Sequence, residues 1–308
     1  MDVNTENRAV LIAGPTASGK SALALKIAEE TGGTIINADA MQVYADLRIL
    51  SARPDEDDEA RAPHRLYGHV DGAARYSVGK WLEDAGNILR EVWARDDVAI
   101  VAGGTGLYFK ALEEGLSPVP EISPSVREEI SQSLRNEGIS ALYKRLRHLD
   151  KKGAASFEPS DVQRVVRALE VVEETGTPLG EWQKKHVQPL LQNADVCRGY
   201  VAVEREELYA RCNSRFEKML DEGAIDEVKV LLARELAKDL PVMKAIGVRE
   251  IAALLSGECT REEANKTAQM QTRRYAKRQT TWFRGQMTGW PANSSDVLAS
   301  MFLKFLKR

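Results

Sequence analysis

The chain has 308 residues, enough to bury a substantial core in one large domain or two smaller ones. Its 43 basic and 46 acidic residues leave a net charge of −3, so bulk charge neither announces nor excludes a polyanionic partner, and the placement of charge must be read instead. Cys197, Cys212 and Cys259 lie far apart with no C-x-x-C pair, and His64, His69, His148 and His186 show no H-E-x-x-H spacing, which argues against a disulfide framework or a structural zinc site.

The N-terminal segment from Met1 to Arg8 is polar, and nowhere do about 18 apolar residues run together, so a soluble, cytoplasmic protein of a reducing compartment is expected. The apolar run Ala9-Val10-Leu11-Ile12-Ala13 predicts a strand. Directly after it, Gly14-Pro15-Thr16-Ala17-Ser18-Gly19-Lys20-Ser21 fits the G-x-x-x-x-G-K-[ST] phosphate loop, and an apolar-periodic helix follows from Ser21. In such a loop, backbone N–H groups and the positive end of the helix hold an anion. Lys20 adds a charge, and Ser21 offers its hydroxyl to a Mg²⁺ bridging the phosphates. The motif alone announces an ATP-binding site and does not say which phosphorylated molecule is held.

Thr34-Ile35-Ile36-Asn37-Ala38 reads as a second short strand in parallel with the first, leading to Asp39. That places Asp39 past a strand's carboxyl end, where open α/β sheets carry ligand groups; an aspartate capping a turn is the alternative. Residues 40–71 are loop-rich, with the run Asp55-Glu56-Asp57-Asp58-Glu59 expected as solvated surface. Residues 77–95 are amphipathic at helical spacing through Trp81, Leu82, Ala85, Leu89 and Val92. A strand over Val98-Ala99-Ile100-Val101-Ala102 then runs into Gly103-Gly104-Thr105-Gly106-Leu107-Tyr108. Phosphate-loop kinases and hydrolases commonly carry an aspartate at the end of such a strand. Here glycine amides and the Thr105 hydroxyl stand instead, which suits a departing diphosphate.

The stretch 116–124, rich in proline, breaks regular structure and reads as a hinge. Beyond it the pattern turns helical: a helix opening at Ser125 with Glu128 three residues on, others over 140–149 and 160–175, and a short one after Pro178. In the third, Val162, Val165, Val166, Leu169 and Val172 predict the buried face, leaving Gln163, Arg164 and Arg167 on other sides as a solvated face or as phosphate contacts. Strand character returns over 196–203. The organisation predicted is a catalytic core of residues 1–116 and 196–308 with a helical insertion, 117–195.

A helix over 206–222 carries Arg211 and Arg215, and Lys244-Ala245-Ile246-Gly247-Val248-Arg249 reads as a basic turn. Thr260 with Glu263 forms a capping-box signature opening a helix to about Arg284. From Lys266 to Arg284 that helix holds six basic residues and no acidic one, with Tyr275, Trp282 and Phe283 interleaved. One-signed charge with aromatics is a footprint of nucleic-acid binding, against the plainer reading of a solvated face. A last helix begins at Ser295, with Val297, Leu298, Met301, Phe302 and Phe305 as its packing residues.

Several stretches together resemble the tRNA dimethylallyltransferase family: GPTASGKS at 14–21, DAMQVY at 39–44, APHRLY at 62–67, GGTGLYFKAL at 103–112, DVQRVVRALE at 161–170, AIGVRE at 245–250 and TRRYAKRQTTWFR at 272–284. Ala40 stands where the family usually has serine, and Val248 where it usually has tyrosine. The resemblance implies an α/β fold, a P-loop NTPase-like parallel-sheet core with an inserted all-helical tRNA-binding subdomain. It also implies transfer of a dimethylallyl group from dimethylallyl diphosphate to N6 of adenosine 37, in tRNAs reading codons that begin with U. Asp39, Thr105 and Arg215 are then the catalytic residues and Gly14 to Ser21 the diphosphate cradle, with Mg²⁺ as cofactor and the enzyme a monomer. The anticodon stem-loop is expected against Asp39, Ala40, Met41, Gln42 and Thr105, and against Arg127, Gln163, Arg164, Val165, Val166 and Arg167. It is expected also against Lys244, Ala245, Ile246, Gly247, Val248 and Arg249, and against Lys277, Arg278, Gln279, Trp282 and Arg284. The rivals are an ATP-dependent small-molecule kinase, which the phosphate loop alone favours, and a nucleic-acid-binding NTPase switch.

Overall fold

The computed structural model describes residues 7–185 and 187–308, so the reading of the extreme N-terminus and of His186 lies outside the described residues. The first apolar run forms strand β1 (Arg8–Ala13), buried along all but its first residue. In chain order follow α1 (Lys20–Thr31), β2 (Thr34–Asn37), α2 (Glu56–Arg61), β3 (His64–Arg65), α3 (Val78–Trp93), β4 (Ala99–Gly103) and α4 (Gly106–Glu114). The helices α5 (Pro124–Glu137), α6 (Ile139–Leu149), α7 (Lys151–Ala154), α8 (Val162–Thr175) and α9 (Leu179–Gln183) come next. The chain closes with β5 (Asp195–Val201), α10 (Arg205–Asp221), α11 (Ala224–Ala233), α12 (Val248–Leu255), α13 (Arg261–Gln286), β6 (Ala292–Asn293) and α14 (Ser295–Leu306).

The strands form one sheet in the order β3-β2-β4-β1-β5-β6, and every pairing is parallel. Ala13 pairs with both Gly103 and Tyr200, and Asn37 pairs with Ala102. The carboxyl ends of β1, β2 and β4 are therefore level, and the loops starting at Gly14, Ala38 and Gly104 leave one edge of the sheet together. That is where open α/β sheets place their ligands. Both faces of β1 are covered, as a continuous apolar strand requires. Ala9, Leu11 and Ala13 pack with Trp81, Leu89 and Val92 of α3, while Val10 and Ile12 pack with Leu23 and Ile27 of α1 and Leu298 and Phe302 of α14. A further cluster joins Phe216, Met219, Val228, Ile251 and Ala268 to Val43, Tyr44 and Leu47 of the loop after β2.

The chain divides into two units: one runs up to Glu113 and resumes at Leu190, and the other is Glu114–Pro189. Residues 114–116 thus belong to the helical unit and 190–195 to the sheet unit. The helical unit closes around Ile130, Leu142, Leu146, Val165, Ala168 and Leu169. Among the described residues no helix is long and apolar enough to cross a membrane.

Several expectations shift in detail. Val162 is 40% exposed, because it is the first residue of α8 behind the cap Asp161, and Ala168 and Val171 take its place on the buried face. Ser123, not Ser125, caps α5, with Pro124 at the helical start, where its missing N–H costs nothing. Part of the acidic run is helical: Asp55 accepts from the Asp58 N–H at 2.8 Å and opens α2. The basic turn is a 3-10 turn over Val242–Lys244 followed by α12, so Val248 and Arg249 are helical. The long basic helix α13 opens on the full capping box between Thr260 and Glu263.

Candidate active site

The loop after β1 turns into α1 through Ala17 at φ 64° and Gly19 at φ 90°. For alanine that conformation costs about 1–2 kcal/mol. Strain of this kind persists where the surroundings hold a loop in a functional shape. Lys20 donates to the carbonyl of Pro15 at 3.3 Å. Burial lowers its pKa to about 8; Asp39's charge works in the opposite direction, and Arg215 depresses it further. Beside the loop lies a groove of about 650 Å³ whose lining includes Lys20, Ser21, Arg211, Arg215 and Lys218 and no carboxylate. One-signed charge gathered in this way favours a multiply charged anion.

Three elements meet at Thr16. Arg215, reaching from α10, donates to its hydroxyl. Its backbone N–H donates to Oε1 of Gln279 at 2.8 Å, and Nε2 of the same Gln279 donates to the carbonyl of Gly104 at 2.9 Å. Burial also lowers the pKa of Arg215, with the Cys212 thiol and Asp39 opposing.

Asp39 stands just past β2. Its Oδ1 accepts from the Met41 N–H at 2.9 Å, so the turn-capping role weighed from sequence is real. Among the described residues none donates to Oδ2. The backbone of Asp39 is held by Asn37, which accepts from the Asp39 N–H at 2.8 Å and donates to the carbonyls of Asp39 and Leu66 at 3.0 and 2.9 Å. Asn37 is wholly buried, and its own carbonyl accepts from the Trp81 indole at 2.8 Å. The hydroxyl of Thr105 accepts from the Ala40 N–H at 3.0 Å, and the Thr105 N–H donates to Ala38 at 3.1 Å. Asp39, Thr16 and Arg215 line one cavity of about 290 Å³, with Lys244, Tyr275 and Arg278 also on its wall. Burial, with the nearby charge of Asp39, raises the pKa of Tyr275. This cavity joins a carboxylate able to accept a proton to cationic and hydroxyl groups able to hold an anion.

Sequence reasoning does not single out Asn37; the available signal is a polar residue inside the apolar run 34–38. From sequence Tyr275 reads only as an aromatic of the basic helix.

The residues expected at RNA divide by exposure. Lys277, Arg278 and Arg284 are exposed, and Arg274, Lys277, Arg278, Thr281 and Trp282 share one face of α13 at three- and four-residue spacing. Lys244 and Arg249 are exposed, while Ala245, Gly247 and Val248 are buried and Ile246 partly so. Val248 packs in the core with Phe216 and Ile251, so the family's larger side chain is absent from a buried position. Ala40 and Met41 line the cavity, whereas Gln42 is nearly buried and donates to the carbonyls of Ser51 and Ala52 at 3.0 and 2.7 Å. Gln279 is buried with both ends of its amide engaged, which takes it off the basic face. In the helical unit Gln163 and Arg164 are exposed, Arg127, Val166 and Arg167 are half-buried, and Val165 is wholly buried in that unit's core.

Comparison with known proteins agrees with this geometry. The family model described as IPP transferase matches residues 42–286, and one described as isopentenyl transferase matches residues 7–72. The tRNA dimethylallyltransferase of Azorhizobium caulinodans is 52% identical over 289 residues, covering 94% of this chain and 93% of that protein. That of Rhodopseudomonas palustris strain BisB18 is 54% identical over 280 residues, covering 91% of this chain and 89% of its own. The crystal structure of the tRNA isopentenylpyrophosphate transferase of Bacillus halodurans superposes with a TM-score of 0.69 at 31% identity, covering 98% and 96% of the two chains. A eukaryotic dimethylallyltransferase acting on tRNA superposes with a TM-score of 0.77 at 27% identity, over 90% of this chain and 70% of that one. A phosphate loop at the level ends of a parallel sheet, a carboxylate beside it and similarity of this extent along the chain converge: this chain belongs to the IPP transferase family, the tRNA dimethylallyltransferases.

Proposed function

We propose that this chain transfers the dimethylallyl group of dimethylallyl diphosphate to N6 of adenosine 37, next to the anticodon, in tRNAs reading codons that begin with U. The observation that carries the reading is the cavity in which Asp39 faces the Thr16 and Arg215 side of the phosphate loop. An adenine N6 amine is a weak nucleophile, because its lone pair is delocalised into the ring, and it gains from an acceptor as its proton leaves. Asp39 Oδ2 is that acceptor. The N6–C1 bond forms as the C1–O bond to diphosphate breaks, the N6 proton passes to Asp39, and the electron pair leaves with diphosphate.

The developing charge on diphosphate meets the loop amides, Lys20 and Arg215, groups already in place before reaction. Ser21 is an exposed hydroxyl in the same groove, a hard oxygen donor of the kind Mg²⁺ accepts together with diphosphate oxygens. Mg²⁺ bound there supplies further positive charge to the leaving group. For N6 to reach the cavity, adenosine 37 leaves its stack at a cost of about a few kcal/mol. The exposed cations of α13, with Lys244 and Arg249, hold the loop's phosphates.

The test is incubation with radiolabelled dimethylallyl diphosphate, Mg²⁺ and unmodified tRNA, with a parallel reaction containing ATP. Label in tRNA without ATP is expected; ATP consumption with no labelled tRNA would overturn the reading in favour of a kinase or a switch.

A further inference from the structure

Helix α13 carries a basic face, and two of its side chains, Gln279 on its buried side and Trp282 at the border of the basic face, seat against the loops of the site. Gln279 bridges the Thr16 N–H and the Gly104 carbonyl, 263 and 175 residues distant in the chain. The ring of Trp282 lies over Gly106. A Cβ on Gly104 would fall 2.2 Å from Nε2 of Gln279, and one on Gly106 would fall 2.0 Å from the Trp282 ring. Glycine at these two positions is what lets α13 approach so closely.

We infer that Gln279 is a positioning residue for the transfer reaction: it sets the phosphate loop at Thr16 and the Thr105 turn at a fixed separation. A glutamine suits this task because one planar amide supplies both an acceptor and a donor. The amide is buried, so neither backbone group it binds has water as a ready substitute. The two loops it joins hold opposite halves of the chemistry. Thr16 receives Arg215 and belongs to the diphosphate cradle, while Thr105 holds the Ala40 N–H next to Asp39. Gln279 also lies within one turn of Lys277 and Arg278, so a helix that receives RNA on its outer face is fastened through its inner face to both loops.

The inference rests on the transfer reaction proposed above. Its test uses the full-length protein and Gln279→Met, which keeps the length of the side chain and removes both hydrogen bonds. Binding of inorganic pyrophosphate to the free enzyme is measured by calorimetry, binding of unmodified tRNA by fluorescence anisotropy, and kcat and KM for dimethylallyl diphosphate by label transfer. The expected result is pyrophosphate affinity and kcat/KM each reduced about tenfold or more, with tRNA affinity within about twofold of wild type. Ala268→Gly on the same helix, which touches neither loop, is the control for loss of stability alone. Pyrophosphate affinity unchanged in Gln279→Met, or weakened equally by Ala268→Gly at a matched fall in Tm, overturns the inference. If Gln279→Met does not fold, Gly104→Ala displaces the same amide and is read by pyrophosphate and tRNA binding alone, because its Cβ would also lie 3.4 Å from Asp39 Oδ2. Wild-type enzyme run alongside keeps the two ideas apart: no label in tRNA defeats the transfer reaction, whereas normal labelling with intact pyrophosphate binding in the variant defeats only the role of Gln279.

Discussion

The backbone N–H of Ala40 donates to the Thr105 hydroxyl at 3.0 Å, tying the loop that carries Asp39 to the glycine turn after β4. The bond uses the main chain of residue 40, so the family's usual serine is not needed for it. Thr105→Val keeps the shape but leaves that N–H without its acceptor, at a cost of about 1–3 kcal/mol. We expect kcat for transfer to fall about tenfold to a hundredfold in Thr105→Val and Thr105→Ser to recover most of it. Ala40→Ser should lie within about 0.5 kcal/mol of wild type in stability. Steady-state kinetics of the two Thr105 variants and a denaturant titration of Ala40→Ser decide; normal turnover in Thr105→Val would remove this bond from the mechanism.

Asp39→Asn separates the two roles of Asp39. The amide oxygen still accepts from the Met41 N–H, so the turn is kept, but the side chain no longer takes a proton. Transfer should drop about 10²- to 10⁴-fold, while pyrophosphate and tRNA binding stay near wild type. Single-turnover label transfer with saturating tRNA checks this, and a variant as fast as wild type would sink Asp39 as the base.

Lys20 should make both anion binding and stability depend on pH. Its folded-state pKa is lowered by burial to about 8, so it is charged below that value and neutral above it. Pyrophosphate affinity should weaken as pH rises through about 8, and binding between pH 8 and 10 should draw a proton from the buffer, seen as a buffer-dependent heat in calorimetry. For folding, the sign is that of a depressed lysine. Below pH 8 both states hold the proton and the cost of burying the charge is present in full; from there to 10.5 the unfolded state binds more protons and stability rises. Lys20→Met should therefore raise the Tm of the free protein at pH 7 while losing pyrophosphate binding. A lower Tm would contradict the assignment.

Lys277 and Arg278 share the exposed face of α13. Replacing both by alanine should weaken tRNA binding at low salt and lower the slope of log Kd against log salt by about 2, one for each phosphate no longer neutralised. Binding isotherms at several salt concentrations test this. Unchanged affinity and slope would return that face to the status of solvated surface.

Local chemistry was legible from the residues themselves. The phosphate loop, the capping box of α13 and the unbroken apolar run of β1 are set by near neighbours, so their patterns survive in one dimension. The inner face of α13 was not legible in the same way. Its buried positions are Ala264, Ala268, Thr272, Ala276, Gln279 and Phe283, mostly small or polar, and hydrophobic periodicity marks a face only where the buried residues are large and apolar. Gln279 therefore reads, in sequence, as one more polar residue of the RNA surface.

By itself the sequence determined the family, the four long strands β1, β2, β4 and β5 and the residue types that can hold a diphosphate, because these rest on short spacings along the chain; it did not show α2, β3, α7 or β6. Tertiary structure alone decided which side each residue serves. It turned Gln279 inward, sank Val248 into a core and placed Asn37 beneath Asp39. The reason is that orientation here is set by close approach between segments far apart in the chain, where a glycine in one makes room for an amide of the other, and such pairs leave no mark on either segment read alone.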